Sequence, residues 1–570
     1  MGGQTLQDGL AGQGRIHRLW SARLTRQVLP PLAAVLLALA TILPIGALLV
    51  RSLFNRDGSF SGLGNFVRYA TEPGLATAAW NSVALSATAT VLAIIIAYPL
   101  AYGLHRSCMP FKGLFRAIVM LPLLAPSLLP AIGLIYLFGT QGVLKSLLMG
   151  EQLYGPVGIV MGSVLYALPH AVLILSAGLA ASDARLYEAA RALRAGPWRQ
   201  FLAITLPFSR YAIISAASVV FVLVFTDFGI PTVVGGSTNV LATDIYKLVI
   251  GRFDFELGAV VGVLLLTPAV AAYGIDVLAR RAQRTTLSGK SVPVTPQPSA
   301  LRDGALTAFA TLVSLAVIGV IGMAVFGSLV KFWPYNLSLD VKNYARVFAA
   351  GDDGRALVAS LWLAGFTAFF GSVIVALTGW LVARKVGAAI PTQLVQGLAM
   401  LPVAVPGLVL GLGYIFFFNA PSNPLNPLFG TLTLMVVCTI AHFYTVPHLM
   451  VVGTLMRTDP EIDMAARALQ STPAGTARRI HLPMLLPTLI DVFGYFFVNA
   501  MTTVSALIFL FTANSRVGAI AVVNLLEGSR YGQAAALAVL IMLISIVATA
   551  LQIALRAFIL RRQPWRRKTG

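Results

Sequence analysis

The alternation of apolar and polar positions along the chain is dominated by long apolar runs. A membrane helix needs about 20 mostly apolar residues. Twelve runs approach or exceed this length, at roughly 32–50, 83–104, 115–138, 156–179, 208–230, 257–279, 306–330, 358–383, 393–418, 430–453, 484–511 and 532–558. They predict an all-α polytopic membrane protein of about 12 transmembrane helices. The first run follows Arg15, Arg18, Arg23 and Arg26. Its apolar part is long and no small-residue cleavage site is obvious, so it reads as a retained span rather than a signal peptide.

The pattern also repeats. Met120-Leu121-Pro122 with Pro126 and Gly133 recurs as Met400-Leu401-Pro402 with Pro406 and Gly413. Asn65-Phe66 with Arg68 recurs as Asn343-Tyr344 with Arg346, and Tyr166 with Pro169-His170 as Tyr444 with Pro447-His448. The shift stays between 276 and 280, near half of the 570 residues. Each half holds six spans, an even number, so the halves enter the membrane alike and form two parallel pseudo-repeats of six. The expected divisions are a segment 1–31, a first half 32–280, a cytoplasmic linker 281–305, a second half 306–560 and a basic tail 561–570. The linker carries Ser288, Pro293, Pro296 and Pro298 among basic residues. Its Gly289-Lys290-Ser291 matches the end of a phosphate-binding loop, but the glycine required five positions earlier is Arg284. No nucleotide loop is expected.

Composition narrows the class. The chain is 58% hydrophobic and 11% charged, whereas soluble domains are about a quarter charged. So few charges exclude a soluble enzyme, a disordered chain and a disulfide-stapled domain. Cys108 and Cys438 allow at most one bridge and have no metal-ligand spacing. The net charge of +21 comes from 41 Lys and Arg against 20 Asp and Glu. With a cytoplasmic N-terminus, 29 of the basic residues fall on inward-facing segments and 12 on outward ones. This bias predicts that both termini are cytoplasmic. The basic residues then anchor lipid headgroups, the tail around Arg561 and Lys568 included, and require no nucleic acid.

Between spans four and five, Asp183 is a good N-cap followed by helix formers through Glu188-Ala189-Ala190. Arg194 and Gly196-Pro197 mark the stop, and a second short helix is expected before Pro207. The second half repeats this elbow with Asp459, Asp463, Met464-Ala465-Ala466, Gln470, Pro473, Ile480, Leu482 and Pro483. In both copies the last proline falls 19 residues after Glu188 or Met464. A helix lying on the lipid surface would not need to recur at one spacing.

The doubled segment resembles the membrane permeases of binding-protein-dependent ABC importers. Their hallmark is a cytoplasmic Glu-Ala-Ala, a glycine and an Ile-x-Leu-Pro ending. Here Arg194 and Gln470 replace the glycine, and Met464 replaces the second glutamate. The resemblance covers both halves and implies the type I importer permease fold. Each elbow would be a coupling helix seated in a cleft of a separate ATPase subunit, with Glu188 paired to a basic group there. The departures imply unequal contacts. The implied partners are two ABC ATPase subunits, an external solute-binding protein, membrane lipid and a small-molecule solute. No cofactor would bind this chain. ATP and Mg would bind the ATPases, whose closure would rock the halves.

Thr226-Asp227-Phe228-Gly229-Ile230-Pro231, Val234-Gly235-Gly236 and the stretch from Val240 to Lys247 resemble fused permeases for 2-aminoethylphosphonate; iron(III) and thiamine permeases share the architecture. Thr226 and Asp227 align with Thr502 and Thr503, and these four are expected to line the path between the halves. Asp227 would meet an ammonium or a metal cation, and the hydroxyls phosphonate oxygens. Alternatively, Asp227 caps the following turn. Asp491, inside span eleven, is expected to face the other half or water, as a pore or gate residue. His170 and His448 are expected to bond carbonyls freed by neighbouring prolines, and Asp276 to pair with Arg280. Pro122, Pro126, Pro402 and Pro406 are expected to break spans three and nine.

The favoured function is therefore an importer's pore subunit for 2-aminoethylphosphonate, with iron(III) or thiamine as the alternative cargo. An ion-coupled secondary transporter is the rival class, disfavoured by the doubled elbow. The chain lacks paired acids, a Ser-His arrangement or a metal cluster, so enzymatic activity is not expected.

Overall fold

The computed structural model describes residues 24–72, 74–180, 182–286, 292, 294–349, 351–513 and 515–562. Arg15, Arg18, Arg23, Gly289-Lys290-Ser291, Pro293 and the tail from residue 563 lie outside the described residues. Among those described, nine helices are long and apolar enough to cross a bilayer, and three more spans are bent helix pairs. Counting each pair once gives twelve crossings.

The bent pairs are the expected spans three, nine and ten. Lys112–Leu124 turns by 105° into Leu128–Phe138, and Ala389–Ala404 by 114° into Gly407–Phe418. Leu432–His442 turns by 55° into Thr445–Met456. In the first two, a 3-10 turn carrying Pro122 or Pro402 runs into Pro126 or Pro406. Proline removes an amide donor and drives the preceding residue out of helical geometry. Ala125 and Val405, which precede the second prolines, are both extended.

Spans five and eleven end earlier than expected. Their helices end at Phe225 and Thr502, and the apolar stretch 504–510 is non-helical and mostly buried in protein. Irregular backbone at membrane depth is tolerated only in such surroundings or against a water-filled cavity. The linker is also shorter, because helix Phe255–Thr286 runs past residue 280 and the next begins at Ala300.

The halves are crossed at their leading helices. Leu29–Ser52 packs against Ala389–Met400 and Gly407–Phe418 of the second half, and Ala300–Leu329 against Lys112–Met120 and Leu128–Phe138 of the first. The repeated glycines permit this approach. A Cβ on Gly133 would lie 2.0 Å from the Val320 carbonyl oxygen, and one on Gly413 2.5 Å from that of Pro44. Pro44 sits inside the first leading helix and has no amide hydrogen for the carbonyl of Ala40, four residues earlier. The Tyr414 hydroxyl donates to that carbonyl at 2.8 Å, across the two halves.

Gly413→Leu is expected to lower stability in detergent-solubilised protein by about 3 kcal/mol, because a backbone contact has no rotamer to yield. Tyr414→Phe should cost about 1 kcal/mol by leaving Ala40 without its donor. Denaturant midpoints of the two variants check both values.

Candidate functional site

Two elements concentrate polar and exposed chemistry: the paired elbows, and a cavity of about 300 Å³ between the halves.

The first elbow helix is Ala184–Ala192, capped as expected by Asp183, whose carboxylate accepts from the Arg185 N–H at 3.1 Å. The second is Glu461–Ala468. Both stop at a residue in left-handed conformation, Arg194 at φ 56° and Gln470 at φ 55°. These are the two positions where the family pattern has glycine, so the departures change the residue and keep the turn. Glu188, Ala189, Met464 and Ala465 are exposed, Ala190 is half-buried and Ala466 buried. Gly196 caps the turn of helix at Pro197. Leu193 is 83% exposed and its counterpart Leu469 82%. These two apolar tips were not singled out in the sequence; only their adjacency to the motif could have marked them.

The second short helix expected before Pro207 is not separate. Pro197–Phe225 is one continuous helical element, as is Pro473–Thr502. Pro207 and Pro483 stand in the first turn of their α-helical parts, where a proline's missing N–H is tolerated after the wider turns Phe201–Thr205 and Ala477–His481. Each elbow is thus joined by an unbroken rod to the cavity.

The cavity gathers Thr226, Asp227, Thr502 and Thr503 with Ser127, Tyr166, His170, His442, Tyr495, Asn499 and Ser505. The breaks at Ala125 and Val405 form part of its wall. Asp227 accepts from the Ile230 N–H at 2.9 Å, so it caps the helix Gly229–Val234 while lining the cavity. The Thr226 and Thr502 hydroxyls donate to the carbonyls of Val222 at 2.8 Å and Val498 at 3.0 Å. Nδ1 of His170 and of His442 are buried without a partner. No group of three or more His, Cys, Asp or Glu able to hold a metal occurs among the described residues. The stretch from Val240 to Lys247 does not border the cavity. Its Asp244 is buried, and burial pushes that carboxyl up to about 6 against the pull of Lys247 and Arg252.

Asp491 requires a correction. It is away from the cavity and bound within its own half, 3.3 Å from Arg556 Nε and accepting from Gln552 Nε2 at 3.1 Å. A carboxylate at membrane depth needs a partner, and here the last helix supplies one. His448 meets the side chains of Gln396 at 3.1 Å and Thr378 at 3.4 Å rather than freed carbonyls. Asp276 accepts from the Ser215 hydroxyl; the side chain of Arg280 lies outside the described residues.

Residues 109–284 and 375–561 match the family described as "Binding-protein-dependent transport system inner membrane component". The chain belongs to this family. The permease is 30% identical over 483 residues to a Haemophilus influenzae protein whose name assigns it, by inference, to a ferric transport system (FbpB 1). That match covers 81% of this chain and 74% of the relative. It is 28% identical over 474 residues to the ferric transport system permease protein FbpB of Actinobacillus pleuropneumoniae, covering 80% and 68%. It is 26% identical over 275 residues to the thiamine transport system permease protein ThiP of Brucella abortus, covering 47% and 50%. The permease is therefore the fused, two-half pore subunit of an ABC importer and a multi-pass inner-membrane protein. These relatives give the aminoethylphosphonate expectation no support.

Gln470→Gly is expected to stabilise the second elbow by roughly 0.5–1 kcal/mol by relieving a left-handed side chain. Asp227→Ala should cost about 1 kcal/mol through the lost cap and reduce uptake, whereas Asp491→Asn should leave uptake unchanged. Transport into vesicles, with unfolding measured on the same variants, separates the three.

Proposed function

We propose that the permease carries ferric iron inward, handed over by an external binding protein, and that its elbows lie on the cytoplasmic side in clefts of two ATPase subunits. The observation carrying the cargo assignment is the hydrogen-bond state of the cavity. Thr226 and Thr502 have already donated their hydroxyl hydrogens to backbone carbonyls. They offer a solute only oxygen lone pairs, beside the Asp227 carboxylate and two imidazoles. That lining suits a cation better than an oxyanion. Two relatives that each match about four-fifths of the chain carry ferric transport in their names; a third that matches 85% of it, at 24% identity, is named only as a probable ABC transporter permease. Without a three-ligand cluster among the described residues, the cavity would pass the ion on rather than retain it.

The elbows supply the energy route in this reading. Leu193 and Leu469 are apolar tips free to bury in a partner. Closure of the ATPases on ATP and Mg would move the elbows, and the rods Pro197–Phe225 and Pro473–Thr502 would carry that motion to Thr226 and Thr502. A second reading keeps 2-aminoethylphosphonate as cargo. Asp227 would meet its ammonium, and the phosphonate would have to find donors elsewhere, at Asn499, Tyr166 or Tyr495.

Two measurements test these assignments. ATP hydrolysis by the assembled complex should be stimulated by a ferric-loaded binding protein; stimulation only by an aminoethylphosphonate-loaded one overturns the cargo. Glu188→Arg should weaken co-purification of the ATPase subunits and lower uptake; unchanged assembly and uptake would remove Glu188 from the contact.

A further inference from the structure

The two elbows are fastened to their bundles at equivalent positions by different chemistry. In each half a 32-residue helix ends beside an arginine. Arg106 is the last residue of Leu75–Arg106, and Arg384 follows Asp352–Ala383. Each arginine reaches the residue before the elbow motif, Tyr187 or Asp463. That residue in turn reaches the one two places before the closing proline, Thr205 or His481.

In the first half the bracket needs no carboxylate. The Arg106 guanidinium lies over the Tyr187 ring, 4.9 Å from its centre, and donates to the Leu179 carbonyl at 3.1 Å. The Tyr187 and Thr205 hydroxyls are 2.9 Å apart. In the second half the bracket is ionic. Arg384 Nη1 is 2.9 Å from Asp463 Oδ2, and His481 Nε2 is 3.1 Å from Asp463 Oδ1. Trp380 Nε1 donates to His481 Nδ1 at 3.0 Å. An indole N–H only donates, so Nδ1 is the bare nitrogen and Nε2 carries the imidazole proton; Nε2 lies close to Asp463 but outside hydrogen-bond geometry. The Arg384 side chain is 11% exposed, its Nε and Nη2 have no partner, and Asp463 is its one ion-pair partner among the described residues.

We infer that Arg384, Asp463 and His481 are positioning residues that lock the second elbow to its bundle, making the two elbows mechanically unequal. The consequence for transport rests on the reading of the elbows as ATPase contacts; the local fastening does not. A buried ion pair adds little net stability, but removal of one partner strands a buried charge. The second elbow therefore fails abruptly when Asp463 is lost. Loss of the Tyr187 contact removes only a cation–π interaction and a hydroxyl bond.

Hydrogen exchange on the purified chain in detergent tests the fastening without any partner. Asp463→Asn should speed amide exchange over residues 461–481 by about tenfold or more, with residues 184–205 unchanged. The double variant Asp463→Tyr, His481→Thr copies the first bracket and should restore protection. Wild-type exchange in Asp463→Asn, or a double variant no better than the single one, overturns the inference, as does equal loss in both elbows. If Asp463→Asn does not fold, the double variant is read alone: native-like protection supports the bracket, and unprotected residues 461–481 overturn it. In the ATPase complex, Asp463→Asn should hydrolyse more ATP per solute moved, and the double variant should return that ratio. A complex that never forms through the wild-type elbows defeats the ATPase reading and leaves the exchange result standing.

Discussion

A peptide group inside a bilayer has no water to bond, and this constraint decides where the permease can depart from regular helix. The sharp breaks at Pro126 and Pro406, and the ends of the long helices at Thr226 and Thr503, all fall inside the protein rather than toward lipid. Broken backbone from both halves converges there and leaves the cavity. The carbonyl released by Pro44 is met by Tyr414 from the opposite half. Irregularity, interface and cavity are therefore one location seen in three ways.

The helices that lead from the elbows to the cavity show the opposite property, continuity. The turns Phe201–Thr205 and Ala477–His481 widen the helix without interrupting it. Each rod therefore runs without a break from the left-handed turn that ends its elbow helix to a cavity residue at its far end. Because the leading helices are exchanged, the halves cannot simply part. Separating them would break the packing of Leu29–Ser52 on Gly407–Phe418 and of Ala300–Leu329 on Leu128–Phe138.

Much of this was legible in the sequence because it rests on period and punctuation. Span number, twofold repetition and the elbows follow from apolar run lengths, a constant shift and the placing of prolines. The 105° and 114° turns were legible as breaks but not in size, since a proline fixes where a helix fails and not where the chain goes next. Glycines 133 and 413 were visible as a repeat, yet their purpose needed the neighbouring helix that no local pattern names. Asp491 misled because an acid in an apolar run signals that a partner exists without saying whose. Arg556 lies 65 positions later on another helix, and such a pairing leaves no mark on periodicity. The rod through Pro207 was missed for a similar reason: a proline near a helix start and a proline that ends a helix look alike in one dimension.

The exchange of leading helices also orders events during synthesis. Ala40 and Tyr414 are 374 residues apart, so the helix Leu29–Ser52 leaves the ribosome long before the surface that receives it. Until then the Ala40 carbonyl lacks the Tyr414 hydroxyl that meets it in the finished fold. A chain truncated between the repeats would keep the contact of Leu29–Ser52 with Phe255–Thr286 but would lack Ala389–Met400 and Gly407–Phe418, against which the rest of that helix packs.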